Sequence, residues 1–179
     1  ILKVLLSADG KIVKQSMKPK KGDEGAEGPE ISAGWQDSFA MDKCVFSSTG
    51  RNPFFILEPG YQLVLEGKEG QKAIRLEISV LNETKKVGSV ETRVVEEKET
   101  ADGKLTEISR NYFAICSLTE DVFYFGEDVD IYKNGKVVSH EGAWLAYQGN
   151  NRPGLLMPGA PKIGAKYYQE VAPGVAMDR

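Results

Sequence analysis

Apolar and polar residues alternate along much of this chain. Residues 74–80 read Ile-Arg-Leu-Glu-Ile-Ser-Val, so every second side chain is apolar. A period of two describes a β-strand with one buried face and one face in water. Similar segments recur across residues 54–171, and pairs such as Asn134-Gly135 mark tight turns between them. The sequence predicts an all-β fold, an antiparallel meander that forms a curved sheet, an open barrel or a sandwich.

Composition divides the chain into three parts. Residues 1–15 are typical of a small N-terminal hairpin, because two apolar runs flank Asp9-Gly10, a pair suited to a tight turn. Residues 16–34 are rich in Lys, Gly, Glu and Pro without apolar periodicity, which indicates a flexible linker or loop. Residues 35–179 are predicted to form the main antiparallel β domain.

Two regions of this domain give weaker patterns. Residues 35–45 are the best candidate for a short helix, although no capping residue marks the start. The last strands are expected at residues 142–148 and 165–171.

Bulk properties exclude several classes of protein. The net charge of -3 does not favour a nucleic-acid partner, and no apolar run is long enough for a transmembrane helix. With a single histidine, His140, and no CxxC motif, a zinc site of the usual kind is excluded. Cys44 and Cys116 fit either one disulfide in an oxidising compartment or two buried thiols.

Three carboxylates, Glu127, Asp128 and Asp130, follow an aromatic run directly. Acidic groups beside buried aromatic surface are costly unless a cation, a hydrogen-bond donor or water receives them. Carboxylates at this spacing suit a hard cation, and calcium is the candidate cofactor. The alternative is a polar strand end, with Asp128 and Asp130 on one side and Glu127 on the other.

A ligand site is predicted nearby. The aromatic side chains of Tyr124, Trp144 and Tyr168 suit stacking on a sugar, and Arg152 lies in a polar loop of the kind that often holds binding residues. Packing in the core is the competing explanation for the aromatic residues. Arg152 has its own alternative, which is an ion pair with Glu127 or Asp128.

Paired carboxylates raise a further possibility, a carboxylate-dependent hydrolase similar to a glycosidase. Glu127 or Asp128 would then act with Glu141 or Glu170. No residue is assigned a catalytic role, because almost any β domain with this many acids would allow such a pair.

A series of short motifs in the last two-thirds of the chain occurs in a recognisable order. They include residues 124–128 (YFGED), residues 142–144 (GAW), residues 153–158 (PGLLMP) and residues 167–170 (YYQE). This series resembles a family of uncharacterised bacterial exported proteins. The resemblance implies an exported, mostly β domain of the bacterial envelope, periplasm or extracellular space, and it carries no activity. Members of that family generally continue past residues 173–174 with additional strands, so the resemblance also implies a fragment of a longer protein.

These observations favour a non-enzymatic, exported β domain that binds a partner chain, an envelope component or a small ligand. A sheet that lacks its final strands has an open edge, and open edges recruit strands from partners. A second polypeptide or a homo-oligomer is therefore the expected partner. A hydrolase and a calcium-stabilised structural domain are the alternatives.

Overall fold

The computed structural model describes residues 4–6, 12–14 and 34–179, the first two ranges as backbone only. Within these residues the chain forms β-strands and no helix, so no helix there is long or apolar enough to cross a membrane. The strands are β1 (Val4–Leu6), β2 (Ile12–Lys14), β3 (Phe46–Ser47), β4 (Gly50–Asn52), β5 (Phe55–Leu57), β6 (Gln62–Glu69), β7 (Lys72–Val87), β8 (Val90–Ala101), β9 (Lys104–Cys116), β10 (Val122–Lys133), β11 (Lys136–Ser139), β12 (Trp144–Leu145), β13 (Arg152–Met157) and β14 (Glu170–Val171).

One antiparallel sheet dominates the molecule. Its strand order is β14-β13-β10-β9-β8-β7-β6, with β3 beside β9 and with β11 and β12 beside β10. The sheet curls into a half-barrel, and β4 and β5 form a small second sheet. The predicted all-β antiparallel fold is therefore confirmed.

The N-terminal hairpin is also confirmed, since β1 pairs with β2 in antiparallel register. The predicted turn at Asp9-Gly10 and the linker, apart from Gly34, lie outside the described residues.

Two tight turns explain why the central strands form hairpins. Asp102 and Gly103 join β8 to β9 with φ of 49° and 74°, and Asn134 and Gly135 join β10 to β11 with φ of 54° and 74°. Two consecutive positive φ angles match the right-handed twist of the flanking strands. Asn, Asp and Gly tolerate this conformation best, so the local sequence sets the register of both hairpins.

Three sequence predictions need correction. Residues 35–45 are not helical. The Gln36 amide donates to the Lys166 carbonyl, the Gln36 carbonyl accepts from the Tyr168 amide, and a disulfide at Cys44 fixes the other end of the segment. The strand expected at residues 142–148 is only β12, and the strand expected at residues 165–171 is only β14. In both places turns interrupt the strand pattern.

The main core lies where β8, β9 and β10 meet β3, β5 and β13. Aromatic rings pack edge to face through it, with centroids 5.4 Å apart for Phe46 and Phe125 and 5.4 Å apart for Phe55 and Phe113. This arrangement is favourable for aromatic pairs. The core explains why β9 and β10 are buried on both faces over residues 111–116 and 122–127.

A disulfide joins Cys44 to Cys116 and settles the choice that the sequence leaves open. Cys116 is fully buried at the end of β9, and its partner lies 72 residues earlier in the chain. The bridge therefore ties the extended segment before β3 to the centre of the main sheet.

Candidate functional site

The register of β10 against β9 shifts between Tyr124 and Glu127. Tyr124 lies opposite Phe113 and Glu127 lies opposite Asn111, so three steps along β10 match two steps along β9. One extra residue in a strand is a β-bulge, and it reverses the alternation of the side chains beyond it. Regular pleating would place Tyr124 and Glu127 on opposite faces, but the bulge directs both toward the same buried face.

Gly126 lies within this bulge and allows β12 to approach β10 closely. Its φ is 134°, and a Cβ at this position would lie 2.3 Å from the Trp144 carbonyl oxygen and 2.8 Å from the Leu145 Cα. No side chain fits in that space. The close crossing places Trp144 opposite Glu127 in the ladder.

Tyr124 is the centre of a buried polar cluster. Its hydroxyl donates a hydrogen bond to the Asn111 side-chain oxygen. The Asn111 amide in turn donates to the Val95 carbonyl at 3.2 Å and to the Ser109 hydroxyl at 3.2 Å. These bonds fix the orientation of the amide, because its nitrogen has two acceptors and its oxygen has a donor.

Neighbouring carboxyl groups affect the ionisation of the same hydroxyl. Burial raises the pKa of Tyr124 well above its ordinary value, and the neighbouring charges of Glu127, Glu170 and Glu97 raise it further. Glu127 and Glu170 are both fully buried. The structure thus brings together one of the carboxylate pairs proposed from the sequence, although the two residues are 43 positions apart.

A second glycine, Gly154, leaves room for the segment that bears Glu170. Gly154 on β13 lies opposite Tyr124, while its neighbour Pro153 pairs with Glu170 on β14. A Cβ on Gly154 would lie 2.1 Å from the Gln169 carbonyl oxygen. The absence of a side chain at residue 154 therefore lets the segment that bears Glu170 pack against β13.

The three aromatic residues predicted to bind a ligand are buried. Tyr124 packs against Trp144 with ring centroids 5.4 Å apart, and Tyr168 packs against Trp35 at 5.9 Å. The indole nitrogen of Trp144 is buried and has no hydrogen-bond partner among the described residues. These rings therefore line the protein interior and present no open stacking platform.

Arg152 has a partner that the sequence did not suggest. Its guanidinium forms an ion pair with Asp37. The pairing joins β13 to the segment before β3. A binding role for Arg152 stays a prediction.

Asp128 and Asp130 point away from Glu127, as the alternation after the bulge requires. The Lys85 ammonium lies 3.1 Å from Asp128, and the Tyr112 hydroxyl donates a hydrogen bond to the same carboxylate oxygen. Asp130 lies 2.9 Å from the His140 ring nitrogen. Among the described residues, no three acidic, histidine or cysteine side chains form a group that would hold a metal ion. The calcium site stays a prediction.

Lys85 and Tyr112 tune the ionisation of Asp128. Burial alone would raise the pKa of Asp128, but the hydrogen bonds from Tyr112 and Lys85 and the charge of Lys85 lower it below its usual value. The Lys85 ammonium also lies 4.2 Å from the centre of the Tyr112 ring, a favourable cation–π position. The trio joins β7, β9 and β10.

Stability should therefore fall in acid partly through Asp128. Its pKa is lower in the folded chain than the value of about 3.9 expected when unfolded, so the stabilisation is present above about pH 4 and is lost as the pH falls through the folded-state pKa. We expect the melting temperature of the wild type to drop more steeply than that of Asp128→Asn between about pH 5 and pH 2. The effect will be modest because the carboxylate is more than half exposed.

Thermal unfolding followed by circular dichroism at several pH values measures this difference. Asp42→Asn, at an exposed position, is the matched control and should follow the wild-type curve. Parallel curves for wild type and Asp128→Asn would show that the pairing with Lys85 and Tyr112 contributes nothing to stability.

Several residues of the buried cluster carry no signal in the sequence. Asn111 lies in a strand of mixed character, and only the fold brings it to Tyr124. The glycine between Phe125 and Glu127 was the one available indication of a bulge, because isolated glycines inside strands often mark one.

Comparison with known proteins supplies no relative for this arrangement. No protein-family model, curated protein or solved structure matches the chain.

Proposed function

We propose that this chain is an exported, non-enzymatic binding domain that holds a partner polypeptide at the β6 edge of its half-barrel. The observation that carries the proposal is an open strand edge. Among the described residues, β6 pairs with β7 on one side only, through an unbroken register from Gln62 to Glu69. An edge of this length is a ready template for a further strand.

The backbone pattern identifies the groups that a partner would meet. The Val80 amide donates to the Tyr61 carbonyl at 2.9 Å, so Tyr61 and Val80 form a hydrogen-bonded pair. Hydrogen-bonded pairs alternate along an antiparallel ladder, so residues 63, 65 and 67 also face β7. The amide and carbonyl groups of residues 62, 64, 66 and 68 therefore point to the open side.

Side chains beside this edge are unusually apolar for a surface. Tyr61, Leu63 and Val64 are 38%, 36% and 41% exposed. Edge strands are commonly protected by charge, and here the charged residues Glu66, Lys68 and Glu69 occupy only the second half of β6. The first half suits an apolar strand from a partner.

The disulfide between Cys44 and Cys116 supports an exported location, because such bridges form and persist in oxidising compartments. The motif series described above, which resembles bacterial exported proteins, points the same way. We therefore assign the protein to the periplasm, the cell envelope or the extracellular space.

A peptide selection tests the binding role. Ten-residue peptides selected from a random library against the immobilised protein should alternate apolar and polar residues. Their binding should slow amide exchange of residues 62–68. Val64→Pro removes one outward amide without touching the β7 ladder, so we expect it to weaken binding at least tenfold.

Val138→Pro, on the exposed strand β11, is the control and should bind the peptides as the wild type does. Peptides that bind Val64→Pro equally well, or that protect a different segment, would show that the edge is not the binding site.

A carboxylate-dependent hydrolase is the second candidate, and one observation favours it. Glu127 and Glu170 are both fully buried, and the charges of both raise the pKa of Tyr124, so two carboxyl groups lie in the neighbourhood of one buried side chain. Their complete burial opposes it, since a substrate would need an opening in the core. Turnover in a panel of glycosides that Glu127→Gln and Glu170→Gln abolish, while the fold is retained, would establish this activity.

A further inference from the structure

We propose that the strand added at the β6 edge is β6 of a second copy, antiparallel to the first about a two-fold axis at Val64. This inference rests on the proposed function, because it names the partner for the same edge. A two-fold pairing of identical strands closes on itself and makes one continuous sheet from two half-barrels.

The backbone restricts how two copies can meet. The outward amides and carbonyls belong to even-numbered residues, so even residues of one copy must face even residues of the other. The axis must then pass through a residue and not between two. Within β6 this leaves a small number of registers, which differ in the side chains that they place opposite each other.

An axis at Val64 matches the exposed apolar side chains. Val64 then faces Val64 of the partner subunit, and Leu63 faces Leu65 of the partner subunit. Just beyond, Tyr61 faces Gly67 of the partner subunit, where an aromatic ring covers the bare backbone of a glycine. Directly opposed apolar and aromatic pairs of this kind stabilise antiparallel sheets.

The charges agree with the same register. Glu66 faces Gln62 of the partner subunit, so a carboxylate meets an amide that can donate to it. An axis at Glu66 would instead oppose two carboxylates, which is destabilising. An axis at Leu65 would place Val64 against Glu66 of the partner subunit. Of the axes at residues 64, 65 and 66, only the axis at Val64 avoids both mismatches.

Cysteine crosslinking tests the register in the full chain. Cys44 and Cys116 are joined to each other, so Val64→Cys adds the only free thiol among the described residues. At the axis the two Cα atoms lie about 5.5 Å apart, within the range that a disulfide spans. In the same register, two cysteines in Glu66→Cys would be about 14 Å apart along the strands.

After oxidation, Val64→Cys should give at least ten times more disulfide-linked dimer than Glu66→Cys. Equal crosslinking, or more from Glu66→Cys, would overturn the register.

Light scattering tests the dimer itself. The wild type should reach twice the 19.7 kDa chain mass as concentration rises. Val64→Glu, which opposes two carboxylates at the axis, should raise the dissociation constant at least tenfold, whereas Val138→Glu on β11 should leave it unchanged.

A wild type that stays at 19.7 kDa, together with a Val64→Cys variant that does not crosslink, would overturn the homodimer. If selected peptides still bound the edge in that case, the binding role would stand with a different partner. If the peptides also failed, both proposals would fall.

Discussion

Replacing Cys44 and Cys116 together by alanine is expected to lower the free energy of unfolding by about 4 kcal/mol. The bridge closes a loop between residues 72 positions apart, so its loss restores a large amount of conformational freedom to the unfolded chain. Cys116 is also fully buried, so its replacement removes packing at the end of β9. Urea unfolding of the wild type and the double variant measures the difference.

Reduction provides the control for this prediction. Dithiothreitol should destabilise the wild type by a similar amount and leave the double variant unchanged. If the two proteins unfold at the same urea concentration without reductant, the bridge does not stabilise the fold. A double variant that fails to fold at all would also agree with a large stabilising effect of the bridge.

Gly126→Ala is expected to lower the free energy of unfolding by more than about 3 kcal/mol, or to prevent folding. The added methyl group would lie 2.3 Å from the Trp144 carbonyl oxygen, and backbone at that distance must move. In addition, a φ of 134° is strained for any residue with a side chain. The variant should separate β12 from β10, and near-ultraviolet circular dichroism should report the change around Trp144.

Gly135→Ala is the matched control for this change. Its φ is 74°, and a Cβ there meets nothing within 4 Å, so only backbone strain is added. We expect Gly135→Ala to lower the free energy of unfolding by about 1 kcal/mol. Equal losses in the free energy of unfolding for Gly126→Ala and Gly135→Ala would show that the close approach of β12 to β10 contributes little to stability.

The fold was more predictable than the site because the signals for strands are local. The alternation over residues 74–80 and the Asn134-Gly135 pair specify a strand and a hairpin without knowledge of the rest of the chain. Residues 35–45 were misassigned as a helix because the contacts that hold them extended, at Gln36 and Cys44, come from distant parts of the chain.

The site depends on such distant contacts throughout. Alternation along the strand predicted that the Glu127 side chain lies on the opposite side from those of Asp128 and Asp130, and the structure agrees. It did not indicate that a bulge would place Glu127 on the same face as Tyr124, or that Gly154 would let the segment that bears Glu170 pack against β13. Lys85 on β7 likewise meets Asp128 on β10 although β8 and β9 lie between these strands in the sheet, a contact that depends on the curl of the whole sheet.

The unequal margins of the main sheet limit how far association can proceed. One edge strand is β6, with eight residues, and the other is β14, with two. Endless head-to-tail growth into a filament needs two long complementary margins on each molecule. Among the described residues the main sheet ends in one long edge strand, β6, and one short edge strand, β14, so repeated growth by main-chain pairing at both ends of the sheet is not favoured.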